Sequence, residues 1–210
     1  LTRDHLDPYR DAVRAHGGGF EATLWGSPET QRLRFDVLTS MITLDALRGS
    51  RVLDLGCGDG ALAQVLCIEL RLGVSYIGLD AMPEMVEAAR AKAIPRCVFE
   101  RCDLTDDAPW PASRVDWVLL SGTLNTMNDA LAMQVLDRSW SLCTRGLAFN
   151  MLGDRPGAAW KDRPLGPSIR RSVVAMQAWA LERTALVELR QDYMDGHDVS
   201  LVLRRSPSQS

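Results

Sequence analysis

Among the 210 residues there is no C-x-x-C pair, no long run of charge of either sign, and no stretch near the roughly 18 uninterrupted apolar residues a membrane span requires. Each absence removes a class of protein. The five cysteines, Cys57, Cys67, Cys97, Cys102 and Cys143, are odd in number and unpaired by spacing. Neither a disulfide framework nor a four-thiolate zinc site fits them, so no metal is expected. Reduced thiols suit a cytoplasmic protein, and residues 1–14 alternate charged with apolar side chains, unlike a secretion signal. Lys plus Arg number 24 against 27 for Asp plus Glu, a net charge of −3, which disfavours a phosphate-tracking surface. No nucleic-acid or membrane partner is expected, and nothing in the sequence specifies an oligomeric state. What is present is 46% hydrophobic content, enough at this length for one substantial core.

The chain divides into a helical cap over residues 1–48 and an α/β unit over 49–205, together one domain. Asp7 is expected to cap a short helix with Pro8 at its first position, Gly17 to Gly19 to end it, and a mobile segment to follow. Ser27 and Pro28 repeat the capping logic, and Leu33, Val37, Met41 and Leu44 recur at helical spacing, predicting a helix over 28–47 stopped by Gly49. Apolar runs then alternate with amphipathic stretches: strands at 51–55, 75–79, 96–102, 115–120 and 147–151, helices at 60–70, 83–93 and 129–143. Repeated units of this kind imply a parallel sheet covered on both faces. Residues 153–167 hold three prolines and three glycines and read as a loop walling a binding site, leading to a helix over 168–181. Two last strands, 186–194 and 197–203, flank Asp195-Gly196, which suits a tight type I′ hairpin and an antiparallel pair. Residues 206–210 read as a loose tail.

The strongest local signal is Val52-Leu53-Asp54-Leu55-Gly56-Cys57-Gly58-Asp59-Gly60, a strand running into a glycine turn and a helix. Glycine admits a ligand close to the backbone, and a nucleotide-like cofactor suits such a turn. Gly56-x-Gly58-x-x-Ala61 also matches the dinucleotide fingerprint, with Asp80 about 20 residues further on to bond ribose hydroxyls. An NAD(P)-dependent oxidoreductase is therefore one reading. Two features favour another. Asp54 opposes a pyrophosphate but suits the α-amino group of S-adenosylmethionine. The antiparallel end departs from an all-parallel dinucleotide sheet.

Over roughly residues 51–125 the chain resembles the class I S-adenosylmethionine-dependent methyltransferases, through Asp54-x-Gly56-x-Gly58-x-Gly60, Asp80, Cys102-Asp103-Leu104 and the strand Val115-Asp116-Trp117-Val118-Leu119-Leu120 followed by Ser121-Gly122. The resemblance implies a Rossmann-like fold, a seven-stranded mostly parallel sheet with an antiparallel C-terminal hairpin and helices on both faces. It further implies S-adenosylmethionine as cofactor and S-adenosylhomocysteine as product. Asp80 would bind both ribose hydroxyls, and Asp103 with the backbone of Leu104 the adenine edge. Asp54 and a carbonyl at Ser121 would take the methionine amine, with Cys57 in the loop beside it. Met82 stands where a capping serine is common; with Ala81 leaving space, Met82 would pack on adenine. Leu24-Trp25-Gly26-Ser27-x-Glu29-x-Gln31-x-x-Arg34-Phe35 resembles a little-characterised bacterial group of such enzymes, as do Ser121-Gly122-x-x-Asn125 and His197-Asp198. That implies that Trp25 and Arg34 face the cofactor, Arg34 pairing the methionine carboxylate.

The reaction so implied is in-line transfer of a methyl group to a small-molecule acceptor; a non-catalytic S-adenosylmethionine-binding module is the other alternative. Ser121-Gly122-Thr123-Leu124 lacks the Asx-Pro-Pro-aromatic signature associated with methylating base amines. No residue stands out as a base: His16 and His197 are the candidates by chemistry. Tyr9, Asn125, Trp160 and Tyr193 are candidate walls of the acceptor pocket.

Overall fold

Strands that place apolar side chains on both faces need helices on both faces. The computed structural model, which describes residues 4–206, is built that way. The chain begins with α1 (Asp7–His16), a 3-10 turn (Phe20–Thr23), α2 (Pro28–Ile42) and α3 (Leu44–Leu47). It then runs through β1 (Arg51–Leu55), α4 (Ala61–Ala63, continued by the π-helical Gln64–Glu69), β2 (Ser75–Asp80), α5 (Pro83–Ala91), β3 (Cys97–Arg101), β4 (Val115–Leu120), α6 (Asp129–Leu142) and β5 (Cys143–Leu152). A short α7 (Ala158–Lys161), α8 (Val173–Leu181), β6 (Val187–Arg190) and β7 (Asp198–Arg204) complete it.

The strands form one seven-stranded sheet in the order β3-β2-β1-β4-β5-β7-β6, with β7 antiparallel to both neighbours and the other pairs parallel. Side-chain alternation divides the core in two. Val52, Tyr76, Trp117 and Ala148 face α2, α4 and α5, while Leu53, Leu79, Val118 and Phe149 face α6 and α8. The mostly parallel sheet, the antiparallel end and the two-sided cover agree with the expected fold.

Several local expectations fail for identifiable reasons. The helix expected over 28–47 breaks at Thr43, whose φ is 80° and whose hydroxyl caps a new helix through the N–H of Ala46, 3.3 Å away. Asp7 lies inside α1 rather than capping it; Leu6 holds the cap position, and the Asp7 carboxylate accepts the N–H of Asp4 at 3.1 Å. The segment after Gly17 is docked, with Gly18 so close to the carbonyl of Glu84 that a Cβ would stand 2.4 Å from its oxygen. The helix expected over 168–181 begins at Val173, because the N–H of Arg171 is held by the carbonyl of Leu152 at 2.8 Å and Ser172 caps the N–H of Ala175. Asp195-Gly196 is no two-residue turn: Met194, Asp195 and Gly196 all adopt positive φ within a longer link, and the side chain of Asp195 reaches back to the N–H of Ala159. Within the expected tail, residues 207–210 lie outside the described residues.

Candidate active site

Sheet order makes the crevice. β2 and β3 extend the sheet on one side of β1, whereas β4 and β5 extend it on the other. Connections leaving the carboxyl ends of β1 and β4 diverge to opposite faces, and ligands of open α/β sheets bind at such a point. A cavity partly open to solvent lies there, lined by Asp54, Gly56, Cys57, Gly58, Asp80 and Asp103 among others.

Each carboxylate is oriented by its own local structure. Asp80, the last residue of β2, accepts the N–H of Gly58 on Oδ2 and the N–H of Met82 on Oδ1, both at 2.9 Å. That pair of bonds ties the glycine turn to the start of α5. Burial raises the Asp80 carboxyl above the usual range, against the lowering effect of those backbone donors. Gly58 adopts φ 56°, and a Cβ there would meet only side-chain tips, Met85 Cε at 3.5 Å being nearest. The positive φ is what favours glycine at that position, since a Cβ would have room. Asp103 takes two bonds on one oxygen, Oδ1, from the N–H and hydroxyl of Thr105 at 2.9 and 2.7 Å.

Asp54 differs from both. It is 3% exposed, and its hydrogen-bond partner is the hydroxyl of Tyr76, which donates a very short bond to Oδ2. In the parallel register Asp54 stands beside Gly78, two residues beyond Tyr76, so both side chains share the sheet face toward α2. Burial pushes its carboxyl up to about 7, moderated by Tyr76 and reinforced by the charge of Asp80. Among the described residues no cation is paired with it.

The other wall comes from the carboxyl end of β4 and from the N-terminal helices. Asn150 on β5 accepts the N–H of Gly122 at 2.8 Å and donates to the hydroxyl of Ser121 at 2.9 Å, which fixes the turn. Thr123 donates to the carbonyl of Leu55 at 2.5 Å and joins that turn to the end of β1. Gly122, at φ 76°, lies against the Trp25 ring so closely that a Cβ would stand 2.6 Å from it. Val13, Ala22, Met82 and Met85 form a small apolar cluster that seats α1 on α5 beside the opening.

Of the residues expected at the cofactor site, Trp25, Asp54, Gly56, Cys57, Gly58, Asp80, Ala81, Met82, Asp103, Leu104 and Ser121 line this cavity. Gly60 does not: at φ 78° it packs where a Cβ would stand 3.1 Å from the Phe99 ring, and it serves the turn itself. Arg34 is not a lining residue either. Its Nε and Nη2 donate to the two oxygens of Asp198 at 2.7 and 2.5 Å, and Nη1 donates to the carbonyl of Thr30. Its guanidinium stacks 4.6 Å from the Trp25 ring, behind the cavity wall. A guanidinium so engaged has no free edge for a ligand carboxylate.

The candidates for base and acceptor divide likewise. Tyr9 and Asn125 line the cavity. His16 is exposed at the end of α1. His197 stacks on Trp160 at 4.0 Å and bonds Arg170 through Nδ1, away from the cavity. Tyr193 is buried with its hydroxyl 2.8 Å from that of Ser200. Among lining residues the sequence pattern passes over His5, Gln31, Thr123 and Thr126. Asn150, which holds the wall from behind, left one trace, an amide inside the apolar run Phe149-Asn150-Met151.

Comparison with known proteins agrees with this geometry. Residues 52–146 match the family model described as a methyltransferase domain. An uncharacterised methyltransferase of Schizosaccharomyces pombe is 35% identical over 74 residues, which cover 35% of this chain and 27% of that protein. The ubiquinone biosynthesis O-methyltransferase of Methylocella silvestris is 36% identical over 91 residues, 43% of this chain and 30% of that one. These matches thus span less than a third of the relatives' own length. Among solved structures, magnesium protoporphyrin IX methyltransferase from Synechocystis PCC 6803 with bound S-adenosylhomocysteine superposes with a TM-score of 0.70 at 19% identity, covering 96% of this chain and 94% of that one. A DhpI–S-adenosylhomocysteine complex does so with a TM-score of 0.67 at 18% identity, covering 97% and 96%. Residues 52–146 thus match a methyltransferase domain, and the chain as a whole shares the fold of these solved methyltransferase structures.

Proposed function

We propose that this chain takes a methyl group from S-adenosylmethionine and passes it to a small-molecule acceptor held in the same cavity. The observation that carries the proposal is the convergence of Asp54, Asp80 and Asp103 on one cavity beside Gly56 and Gly58. Its chemistry fits the cofactor part by part. Asp80, held by two backbone donors, keeps lone pairs for ribose hydroxyls, and Asp103 has Oδ2 free of its turn bonds for the adenine amino group. Asp54 is a buried carboxyl near neutral pKa without a cationic partner among the described residues, which is the complement of an α-ammonium group. Met82 and Ala81 offer an apolar rest for the base.

The cofactor supplies a methyl group already activated by a positive sulfonium. The residues of this chain orient both reactants and exclude water, and alignment at near-attack distance is a large part of such catalysis. Residues 1–48 act as a cap over the unit formed by 49–205, seated through Val13, Met82 and Met85. Relatives named for O-methylation support an oxygen acceptor. Calorimetry with S-adenosylhomocysteine and NADH tests the reading. Binding of the first and not of the second is expected, followed by transfer of labelled methyl to a component of fractionated cell extract. Tight NADH binding without a response to S-adenosylhomocysteine would refute it, and cofactor binding without any labelled product would leave a binding module.

A further inference from the structure

Besides the three carboxylates, the cavity is lined by His5, Tyr9 and the segment after β4. Two polar atoms there have no partner: Asn125 Oδ1 and Thr126 Oγ1 are both buried and unbonded, and Thr126 is only 9% exposed. Tyr9 faces Thr126 without forming a well-shaped hydrogen bond. Leaving a buried polar atom unpaired is costly, so such atoms are suited to a polar group of a ligand. The backbone of Asn125 is held in place, its carbonyl accepting the N–H of Ile169 at 2.7 Å.

The remaining lining is informative by charge and shape. Among the described residues neither Lys nor Arg lines the cavity, so an acceptor bearing a carboxylate or phosphate would find no counter-charge. Tyr9, Trp25, Phe35 and Met127 instead offer flat apolar surface. His5 is the histidine that lines the cavity. Its side chain is 8% exposed, its Nδ1 lies 3.0 Å from Asp4 Oδ1, and Arg10 holds the other Asp4 oxygen at 2.6 Å. A proton kept on Nδ1 by Asp4 leaves Nε2 free to accept another.

From this we propose that His5, Asn125 and Thr126 form the acceptor subsite, that the subsite takes an uncharged phenol, and that His5 receives the phenolic proton. The inference rests on the methyl-transfer reading above and deepens it. A phenol gives up its proton to an imidazole more readily than an aliphatic alcohol does. The phenolic O–H bond breaks with its proton passing to Nε2 of His5. An oxygen lone pair forms the new O–CH3 bond as the carbon–sulfur bond breaks, its electron pair remaining on sulfur. The imidazolium then returns its proton to solvent.

The test uses four probes with one apolar body: 2-naphthol, 2-naphthylamine, 2-naphthoate and naphthalene. Calorimetry on the complex with S-adenosylhomocysteine should show naphthol binding at least tenfold more tightly than the other three. Asn125→Leu should remove most of that preference while leaving S-adenosylhomocysteine affinity unchanged. His5→Asn, which keeps an amide N–H toward Asp4, should lower naphthol methylation by about 10²-fold with little change in naphthol affinity. Equal or tighter binding of naphthoate by the wild type, a naphthol preference that survives Asn125→Leu, or full turnover by His5→Asn would each overturn the inference. Failure to bind S-adenosylhomocysteine at all would instead remove the function on which it stands.

Discussion

Replacing Arg34 by Met separates a structural arginine from a cofactor-binding one. In the native fold Arg34 and Asp198 are 4% and 0% exposed and share two hydrogen bonds that join α2 to β7 across 164 residues of chain. Burial raises the Asp198 carboxyl and the charge of Arg34 opposes that rise. Removing one partner leaves a buried carboxylate uncompensated, which typically costs about 3–5 kcal/mol, whereas replacing both by apolar groups is often neutral. With a urea dependence near 2 kcal/mol per molar, Arg34→Met should lower the unfolding midpoint by about 1.5–2.5 M. Arg34→Met/Asp198→Leu should recover at least half of that loss. The double variant should also bind S-adenosylhomocysteine within about fivefold of the wild type, since what remains is the stacking on Trp25, worth about 0.5–1 kcal/mol. A direct bond to the methionine carboxylate would be worth about 1.5–3 kcal/mol, tenfold or more in affinity. A folded double variant that binds more than tenfold weaker, or a single variant with an unchanged midpoint, would refute the reasoning.

Asp80→Ala should weaken S-adenosylhomocysteine binding by about 1–3 kcal/mol, because it removes the ribose acceptor and frees the N–H groups of Gly58 and Met82; an unchanged dissociation constant in calorimetry would contradict the assignment. The Asp54 carboxyl, raised to about 7 in the free protein, must ionise to meet an ammonium group, so affinity should rise with pH from about 5.5 through 7 and level off above about 8. Asp54→Asn should bind more weakly and flatten that profile, and a parallel slope in both proteins would rule the group out. His197 is held at about 4 by burial and by the charges of Arg170, Arg34 and Arg163. Its neutral ring therefore contributes stability fully above its ordinary value near 6.5, and that contribution fades as pH falls toward 4. The stability gap between wild type and His197→Asn should narrow over that window, as measured by urea unfolding, and a gap constant with pH would exclude the titration.

The fold was legible because its determinants are local. Asp54 to Gly60 carry the strand, the turn and its glycine conformations within seven consecutive residues, and the spacing to Asp80 follows from one βα unit. Boundaries were less legible where a side chain or strand claims a backbone group. Thr43 divides one amphipathic pattern into two helices, and Leu152 holds the N–H of Arg171 away from α8. Neither effect alters hydrophobic periodicity, so the pattern continues past the physical break.

The proposed acceptor subsite resisted reading for a different reason. His5, the segment 123–127 and Ser168 come from three separated parts of the chain and meet only because α1 docks on α5 and the residues after α7 fold back over β4. No spacing rule joins them. Arg34 and Asp198 mark the limit of motif reasoning most clearly. Both lie in stretches resembling one bacterial group, and the resemblance assigned the arginine to a ligand carboxylate. The carboxylate it meets is the protein's own: Asp198 occupies both inner donors of the guanidinium, and Trp25 covers its face. Two sequence features that occur together identify partners to be satisfied, and burial then decides whether they satisfy each other or a ligand. Here both are sealed behind Trp25, so the arginine acts on the cavity only through the ring that it supports.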